Sequence, residues 1–242
     1  MRELASLLRC YLWIAPGIVL ATAFYGSLNL VIALWDSAGS TQLKCARAWA
    51  RMLLRIAGVK VSVEGLEKVK PGESYIFASN HVSYMDTPVV LSYIPANFRF
   101  MAKSGLFKVP GIGGHLTKAG HIAVDLDNPR AALRVLTSAG RMLRERGISV
   151  LVFPEGGRSE TGQPQEFKEG AAYLALKGGV PIVPVAIQGI YKVLPMHHSH
   201  IRPGNVILRI GDPIETAHLT LHDRNDLTAR VFQEVLALGA GR

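Results

Sequence analysis

Hydrophobic and polar positions divide the chain into two parts with different patterns. Residues 10–35 form a run of 26 residues without a charged side chain, long enough for one membrane-spanning helix. Pro16-Gly17 lies inside this run and predicts a kink. After Gly58, short apolar runs alternate with amphipathic stretches, which predicts strands alternating with helices. We therefore predict N-terminal helices over residues 1–57 and a separate folded domain over residues 58–242.

The segment that follows the uncharged run predicts a basic amphipathic helix. Such a helix beside an apolar one is typical of a membrane-surface element, so we favour a helical hairpin on an anionic membrane. A core-packed helix with a solvated basic side is the alternative. A cleavable signal peptide is disfavoured, because the uncharged run continues for twelve residues past the small residues at 21–23. The basic positions recur at helical spacing and are Lys44, Arg47, Arg51 and Arg55.

The second part predicts a layered α/β domain with a mostly parallel or mixed central sheet. Several predicted strands are continuous apolar runs, which is typical of strands buried on both faces. The glycines at 111–114 do not complete a dinucleotide-binding pattern, and we interpret them as a turn. Strands are predicted at 60–64, 74–78, 98–102, 122–125, 149–153, 182–187 and 205–210, and helices at 87–92, 129–146, 168–177 and 223–238.

The amino-acid composition narrows the classes of partner that the protein is expected to bind. The formal net charge is +9, which favours anionic partners such as phospholipid headgroups or phosphorylated and CoA-type substrates. Aromatic residues make up only 7%, and no basic stretch is interleaved with them, so nucleic acid is disfavoured. Two cysteines without zinc-type spacing predict neither a disulfide framework nor a metal site. The cluster of His197, His198 and His200 lacks flanking acidic or cysteine ligands, and we interpret it as a solvated loop.

Two motifs carry candidate chemistry. Residues 80–86 read NHVSYMD and join a predicted strand to a predicted helix, the edge where α/β active sites lie. An imidazole is suited to removing a proton near neutral pH, and a nearby carboxylate fixes its tautomer. We therefore predict His81 as a general base and Asp86 as the group that orients it.

The second motif, FPEGGRS at residues 153–159, also follows a predicted strand. Gly156 and Gly157 allow backbone amides to turn toward an anion, and Arg158 adds a charge whose geometry suits a phosphate. Glu155 is either an acid partner, an anchor for Arg158 or one half of a turn salt bridge.

Together the motifs supply a base and an anion site but no obvious protein nucleophile. That combination suits acyl transfer to a hydroxyl of the substrate. A thioesterase or lipase using water or Ser83 is an alternative, although Ser83 lies only two residues from His81, which is awkward for a nucleophile. A lipid-binding protein without catalysis is disfavoured by the two intact motifs.

With these motifs the chain resembles the membrane glycerolipid acyltransferases. Four blocks of that family have counterparts here in the same order: NHVSYMD, GHIAVD at 120–125, FPEGGRS and VPIVPVAI at 180–187. Residues 102–113 also resemble the connecting segment. The resemblance implies an acyltransferase fold preceded by a membrane anchor. It also implies transfer of an acyl group from an acyl-CoA or acyl carrier protein thioester to a lysophospholipid such as 1-acyl-sn-glycerol 3-phosphate.

The resemblance also assigns roles to residues. It implies that His81 deprotonates the acceptor hydroxyl directly, with Asp86 orienting it and without a covalent acyl-enzyme. Glu155 and Arg158 would shape the acceptor phosphate site, with Lys103 reaching toward the same phosphate. No cofactor beyond the thioester is expected. We expect an inner-membrane location with the catalytic domain on the cytoplasmic side.

Three positions differ from the family pattern. Leu126 stands where the second block has arginine, and nearby Arg130 is a possible substitute. Gly157 replaces a threonine, and Gly105 replaces a glutamate in the connecting segment. The catalytic pair is unaffected, so these differences bear on which lysolipid or lipid-like alcohol is the acceptor.

Overall fold

The N-terminal part is helical in the computed structural model, which describes residues 2–36, 38–110 and 112–241. Helix α1 (Arg2–Arg9), a π-helical turn (Cys10–Ile14) and helix α2 (Ala15–Ile32) follow one another without a break. Residues Glu3–Ile32 form a helix long and apolar enough to cross a membrane by length and composition, and few of its residues are buried. The π turn lies directly before Pro16, the position of the predicted kink. Proline lacks an amide hydrogen and crowds the preceding turn, which explains an irregularity here.

Helix α3 (Ser40–Ala57) packs against the domain that follows it, and one of its basic side chains contacts that domain instead of solvent. The Arg47 guanidinium donates hydrogen bonds to the carbonyls of Ile94 and Ala96, both at 2.7 Å. These carbonyls follow the end of helix α4 (Asp86–Tyr93), where unpaired backbone oxygens attract a positive charge. The interpretation of the basic positions as one membrane-facing stripe is therefore wrong for Arg47, whereas Lys44 and Arg55 are exposed.

A seven-stranded sheet follows, and all seven predicted strands are present within two residues of their predicted ends. The sheet order is β1-β7-β6-β2-β5-β3-β4, with every neighbouring pair parallel except β6 and β7. The expectation of a mostly parallel sheet in a layered α/β domain is confirmed. The strands are β1 (Val59–Glu64), β2 (Ile76–Ser79), β3 (Phe98–Lys103), β4 (Ile122–Val124), β5 (Ser149–Val152), β6 (Ile182–Gln188) and β7 (Gly204–Ile210).

Helices cover both faces of the sheet. Alternate residues of the buried strands point to opposite sides, so that Phe77 packs in one core with α3 and α4 while Ile76 packs in another. The second core is formed with helices from the other side. Burial on both faces explains why β2, β5 and β6 read as continuous apolar runs. The remaining helices are α5 (Ile112–Lys118), α6 (Pro129–Arg146), α7 (Gly170–Gly178) and α8 (Arg224–Gly239).

Helix α5 was not predicted, and the turn expected at 111–114 is wrong from residue 112 onward; Gly111 lies outside the described residues. Two glycines at the start of a helix weaken its helical signal. Packing explains one of them, because a Cβ atom on Gly113 would lie 1.9 Å from the carbonyl oxygen of Phe107. The glycine lets α5 lie against the 3-10 helix Ser104–Lys108, which follows β3.

Strand directions decide where the loops meet. The carboxyl ends of the parallel strands β2, β5, β3 and β4 lie on one edge of the sheet, called here the carboxyl edge. Both sequence motifs follow strands of this set, so both lie on that edge. Strand β1 runs parallel to β7, which is antiparallel to β6, so the loop after β1 lies on the opposite edge.

Candidate active site

The structure brings His81 and Asp86 together as predicted. The imidazole Nδ1 lies 2.8 Å from Oδ2 of Asp86, and the carboxylate is fully buried at the start of α4. The same Oδ2 accepts the backbone N–H groups of Val82 at 2.7 Å and Ser83 at 2.8 Å. A carboxylate beside Nδ1 favours the imidazole tautomer in which Nδ1 carries the proton. Nε2 is then unprotonated and can act as a base.

The loop that carries His81 is fixed at its start. The Asn80 side chain donates to the carbonyl of Ile187 at 3.1 Å and accepts the N–H of the same residue at 2.8 Å, which ties the loop to strand β6. Phe153 stacks on the imidazole, with ring centroids 3.9 Å apart and planes inclined by 13°. The ring therefore has one orientation, set by Asp86 on its edge and by Phe153 on its face.

The Ser83 hydroxyl already donates one hydrogen bond and accepts another within the fold. Its hydroxyl donates to the carbonyl of Leu194 at 2.7 Å and accepts the N–H of Met85 at 3.1 Å, and the residue is fully buried. A nucleophilic serine must be accessible and hydrogen-bonded to the base. The geometry is therefore unfavourable to the hydrolase alternative that uses Ser83.

Glu155 contacts the loop that carries His81, and its carboxylate accepts hydrogen bonds from two backbone N–H groups. Oε1 accepts the N–H of His81 at 2.6 Å, and Oε2 accepts the N–H of Gln165 at 3.1 Å. Among the described residues it forms no ion pair with Arg158, so the interpretation as a turn salt bridge is wrong. Burial raises the pKa of Glu155 to about 7, against the two backbone hydrogen bonds that lower it, and the charge of Asp86 raises it further.

Arg158 lies beside the catalytic loop with part of its hydrogen-bonding capacity unused. Its guanidinium carbon is 4.4 Å from the ring centroid of Tyr84, a cation–π contact. Its buried Nε has no hydrogen-bond partner within the described part of the chain. Burial lowers the pKa of Arg158, and the charges of Asp86 and Tyr84 offset part of that effect. An unpaired buried donor is costly, and a guanidinium that has no acidic partner among the described residues is suited to an anionic ligand.

Two lysines flank the glycines of the FPEGGRS loop. A Cβ atom on Gly157 would lie 4.0 Å from Nζ of Lys103, and one on Gly156 would lie 2.9 Å from Nζ of Lys168. Gly156 has φ of +76°, a conformation that favours glycine. Lys103 is thus close to the loop, as the resemblance implied. Lys168 was missed, because in the sequence it is only the first residue of a predicted helix.

An apolar cavity of about 510 Å³ lies beneath α2 and α3 and reaches the segment that follows the catalytic pair. Residues of α2 and α3 line it together with Thr87, Leu91 and Phe100, and α5 contributes Ile112 and Leu116. Thr87 directly follows Asp86, and Phe100 stacks on Phe153 with ring centroids 6.4 Å apart. No sequence signal marked this cavity, because its walls come from segments far apart in the chain.

Two histidines, His115 and His121, line the cavity without adding charge near neutral pH. The Phe100 N–H donates to Nδ1 of His121 at 3.0 Å. Burial lowers the pKa of His121 to about 3, with further contributions from the charges of His115 and Arg99. Burial also lowers the pKa of His115. Neutral imidazoles keep the cavity suited to an apolar ligand.

The three histidines at 197–200 each form a hydrogen bond or ion pair with a different residue. His200 is only 8% exposed and its Nε2 lies 3.0 Å from the Ser6 hydroxyl of α1, so the solvated-loop interpretation is wrong for this residue. His197 is paired with Glu160 at 3.3 Å, and His198 with the carbonyl of Met196 at 2.9 Å. Within the described residues, no group of three or more His, Cys, Asp and Glu side chains is arranged for a metal ion.

Comparison with known proteins identifies the family. The acyltransferase family matches residues 60–188. The 1-acyl-sn-glycerol-3-phosphate acyltransferase of Limnanthes douglasii is 30% identical over 235 residues, covering 95% of this chain and 82% of the relative. The human 1-acyl-sn-glycerol-3-phosphate acyltransferase alpha is 30% identical over 190 residues, covering 77% of this chain and 67% of the relative.

A solved structure matches nearly the whole chain. The crystal structure of the 1-acyl-sn-glycerophosphate acyltransferase PlsC from Thermotoga maritima superposes with a TM-score of 0.80 at 29% identity. The match covers 97% of this chain and 95% of that one, so it includes the N-terminal helices as well as the sheet.

Proposed function

We propose a specific reaction for this chain, which belongs to the acyltransferase family. The reaction moves a fatty acyl group from an acyl thioester to the free hydroxyl of 1-acyl-sn-glycerol 3-phosphate, giving phosphatidic acid. The observation that carries the proposal is the position of the His81 imidazole. It is fixed by Asp86, it stacks on Phe153 of the FPEGGRS motif, and Thr87, which directly follows Asp86, lines the apolar cavity.

The proposed chemistry needs no protein nucleophile. Nε2 of His81 takes the proton of the acceptor hydroxyl as its oxygen attacks the thioester carbonyl. The tetrahedral intermediate collapses, the carbon–sulfur bond breaks, and the leaving thiolate takes the proton back from the imidazolium. The buried Asp86 carboxylate stabilises that imidazolium without taking its proton. The engaged hydroxyl of Ser83 supports direct transfer over an acyl-enzyme.

The acceptor phosphate would bind at the FPEGGRS loop. Arg158 offers an unpaired Nε, and Lys103 and Lys168 supply two further charges beside Gly156 and Gly157. A guanidinium matches phosphate geometry, and the ammonium groups add attraction from either side. Glu155 would act by holding the His81 backbone rather than by contacting the phosphate.

An acyl chain would occupy the apolar cavity. The cavity is lined by residues of α2 and by Thr87, which directly follows Asp86, and we propose that a chain bound there presents its carboxyl end toward His81. We propose that the thioester is the acyl-CoA or acyl carrier protein form and that no other cofactor takes part. The apolar N-terminal helix would hold the enzyme at the inner membrane, with the catalytic domain on the cytoplasmic side.

The test gives the detergent-purified enzyme an acyl thioester with 1-acyl-sn-glycerol 3-phosphate, with other lysolipids, or with no acceptor. We expect ester formation and thiol release that both depend on the phosphorylated acceptor. Equal thiol release without acceptor would contradict transfer and favour a thioesterase. Preference for another lysolipid would keep the mechanism but reassign the acceptor, a second candidate that Leu126 and Gly157 favour because they differ from the family pattern.

A further inference from the structure

Three buried polar atoms without a hydrogen-bond partner belong to residues that line the apolar cavity. Within the described residues, five buried side-chain nitrogen or oxygen atoms lack a partner, and two of these belong to Asp86 and Arg158 of the active site. The other three are Oδ1 of Asn29, Oε1 of Gln42 and Nδ1 of His115. An unpaired buried polar atom is costly, so three of them around one cavity indicate a ligand that supplies the missing hydrogen bonds.

The orientation of both amides is fixed by their nitrogen atoms. Nδ2 of Asn29 donates to the carbonyl of Gln42 at 3.0 Å. Nε2 of Gln42 donates to the carbonyls of Asp36 and Lys118, both at 3.3 Å. Rotating either amide by half a turn would place oxygen against oxygen, so the unpaired atom of each is the carbonyl oxygen, a hydrogen-bond acceptor. Asn29 is 3% exposed and Gln42 is 1% exposed, which keeps bulk solvent from supplying the partner.

Asn29, Gln42 and His115, called here the polar end, are held toward the edge of the sheet opposite the active site. Helix α5, which carries His115, ends shortly before β4 begins, and the Gln42 amide bonds to the last residue of α5. The loop between α2 and α3 accepts a hydrogen bond from Arg99, the second residue of β3. These two parallel strands start at the edge opposite the carboxyl edge. The cavity is thus lined by Thr87 near the catalytic pair and by polar groups away from it.

The atoms at the polar end define the chemical group that fits there. Two amide oxygens require a hydrogen-bond donor, which a carboxylate or a ketone does not offer. An ammonium group would lie near the guanidinium of Arg99, which also lines the cavity. Burial lowers the pKa of His115, so its neutral ring can donate through Nδ1. A neutral hydroxyl satisfies these conditions, because it donates to one amide oxygen and accepts from Nδ1, and a water beside it satisfies the other oxygen.

We propose that the polar end binds a hydroxyl group carried by the acyl chain of the donor, far from its thioester. The enzyme then accepts hydroxylated acyl thioesters, a substrate class that a wholly apolar cavity would reject, because burying a hydroxyl without a partner is unfavourable. The inference rests on the proposed function for the statement that the bound chain is the donor's. Binding of the hydroxyl itself is measured without catalysis.

The first experiment measures equilibrium binding to the full-length protein purified in detergent. The probes are saturated ω-hydroxy fatty acids of increasing length, each compared with the unsubstituted acid of the same length by displacement of a fluorescent fatty acid. We expect the relative affinity of the hydroxy acid to pass through a maximum at one length, at which the hydroxyl reaches the polar end. Partitioning into detergent changes smoothly with length and does not produce such a maximum. Its absence would overturn the proposal and leave ordered water as the occupant of the polar end.

Variants test whether the polar end causes that preference. His115→Phe keeps a ring but removes Nδ1, which has no partner among the described residues, and Gln42→Met removes the amide with little change in side-chain length. Each should lower the affinity of the hydroxy acid relative to the unsubstituted acid about tenfold. Leu91→Met, a change in an apolar residue of the cavity wall, is the matched control and should shift both acids equally. The readout is a ratio within one variant, so general damage to the cavity does not imitate the effect. An unchanged ratio in the polar variants would contradict the assignment.

The second experiment separates this inference from the proposed function. The unmodified enzyme and His115→Phe receive the hydroxylated and the unsubstituted acyl-CoA of the selected length, with 1-acyl-sn-glycerol 3-phosphate as acceptor. We expect both chains to be transferred, with the ratio of their kcat/KM values about tenfold less favourable to the hydroxylated chain in the variant. Transfer of the unsubstituted chain alone would overturn the inference and keep the proposed function. Selective binding of the hydroxy acid without transfer of either chain would contradict the proposed function, whereas the hydroxyl site would stand.

Discussion

The catalytic pair and the loop beside it differ in how firmly their side chains are held. His81 and Asp86 are buried, and Oδ2 of Asp86 accepts three hydrogen bonds from within the protein, although its Oδ1 has no partner among the described residues. In the FPEGGRS loop, Arg158 keeps an unpaired buried Nε, and Lys103 and Lys168 lie beside glycines with their charges exposed to solvent. Groups that act on the reacting atoms are thus held in place before substrate arrives. Groups that bind substrate are left unsatisfied until it does.

That difference makes the two regions separable by mutation. Changes in the pair should affect the rate of chemistry, and changes in the loop should affect the concentration of acceptor that the enzyme requires.

The largest effect should come from His81→Ala. We expect kcat to fall by roughly 10⁴-fold or more, because the variant retains binding groups but has no base. The fold should be retained, since Oδ2 of Asp86 keeps the backbone N–H groups of Val82 and Ser83 as partners when the ring is removed. Turnover near that of the unmodified enzyme would exclude His81 as the base.

Asp86→Asn should have the next largest effect. All three donors reach one carboxylate oxygen, so an amide oxygen in its place can accept the same hydrogen bonds while the negative charge is lost. We expect kcat to fall by roughly 10³-fold, because the imidazolium loses its stabilising charge. The amide NH2 would take the place of Oδ1, which has no partner among the described residues, so Tm should also fall, but without loss of the fold. An Asn variant that unfolds would instead indicate a structural role for the charge.

Arg158→Ala should affect binding more than chemistry. We expect KM for a phosphorylated acceptor to rise by about 10- to 100-fold with a smaller change in kcat, since a charge-assisted contact to phosphate is lost. Lys168→Ala should raise KM only a few-fold, because an exposed ammonium contributes less. Lys60→Ala, an exposed lysine on β1, serves as the control. Unchanged KM in both loop variants would remove the phosphate site from this loop.

The smallest expected effect is the pH dependence of the free energy of unfolding. Because burial raises the pKa of Glu155 from 4.5 to about 7, the folded protein favours the protonated carboxyl. Its contribution to the free energy of unfolding is present below pH 4.5 and is lost as pH rises through 7, a decrease on the order of 2 kcal/mol. Urea unfolding across this range should show the decrease, and Glu155→Gln should flatten it. An identical pH profile in the variant would show that another group is responsible.

Local pattern predicted a large part of this protein. All seven strands and four of the helices follow from apolar runs and amphipathic spacing, because those signals depend on residues a few positions apart. The pairing of His81 with Asp86 was also predictable, since one turn at the start of α4 separates them. Helix α5 was missed because two glycines near its start weaken the helical pattern, and one of them, Gly113, is explained by a close contact with Phe107 that helix propensity does not include.

Contacts between distant segments were not predictable in the same way. The sequence of α3 offers four similar basic residues, yet only the packing of α3 on α4 shows that Arg47 binds carbonyls while Lys44 faces solvent. Lys168 joins the site because its backbone N–H bonds to the carbonyl of Pro154, which returns the chain to the loop. His200 is buried because α1 covers it.

The sequence by itself determined the order of strands and helices, the base with its aspartate, and the presence of a basic, glycine-rich loop. Only the tertiary structure decided that the two motif loops share one edge of the sheet, and that α2, α3 and β3 enclose an apolar cavity that Thr87, next to Asp86, also lines. The physical reason is the distance along the chain over which each kind of interaction acts. Periodicity and capping act within a few residues, whereas a cavity or a paired charge depends on which distant surfaces come into contact.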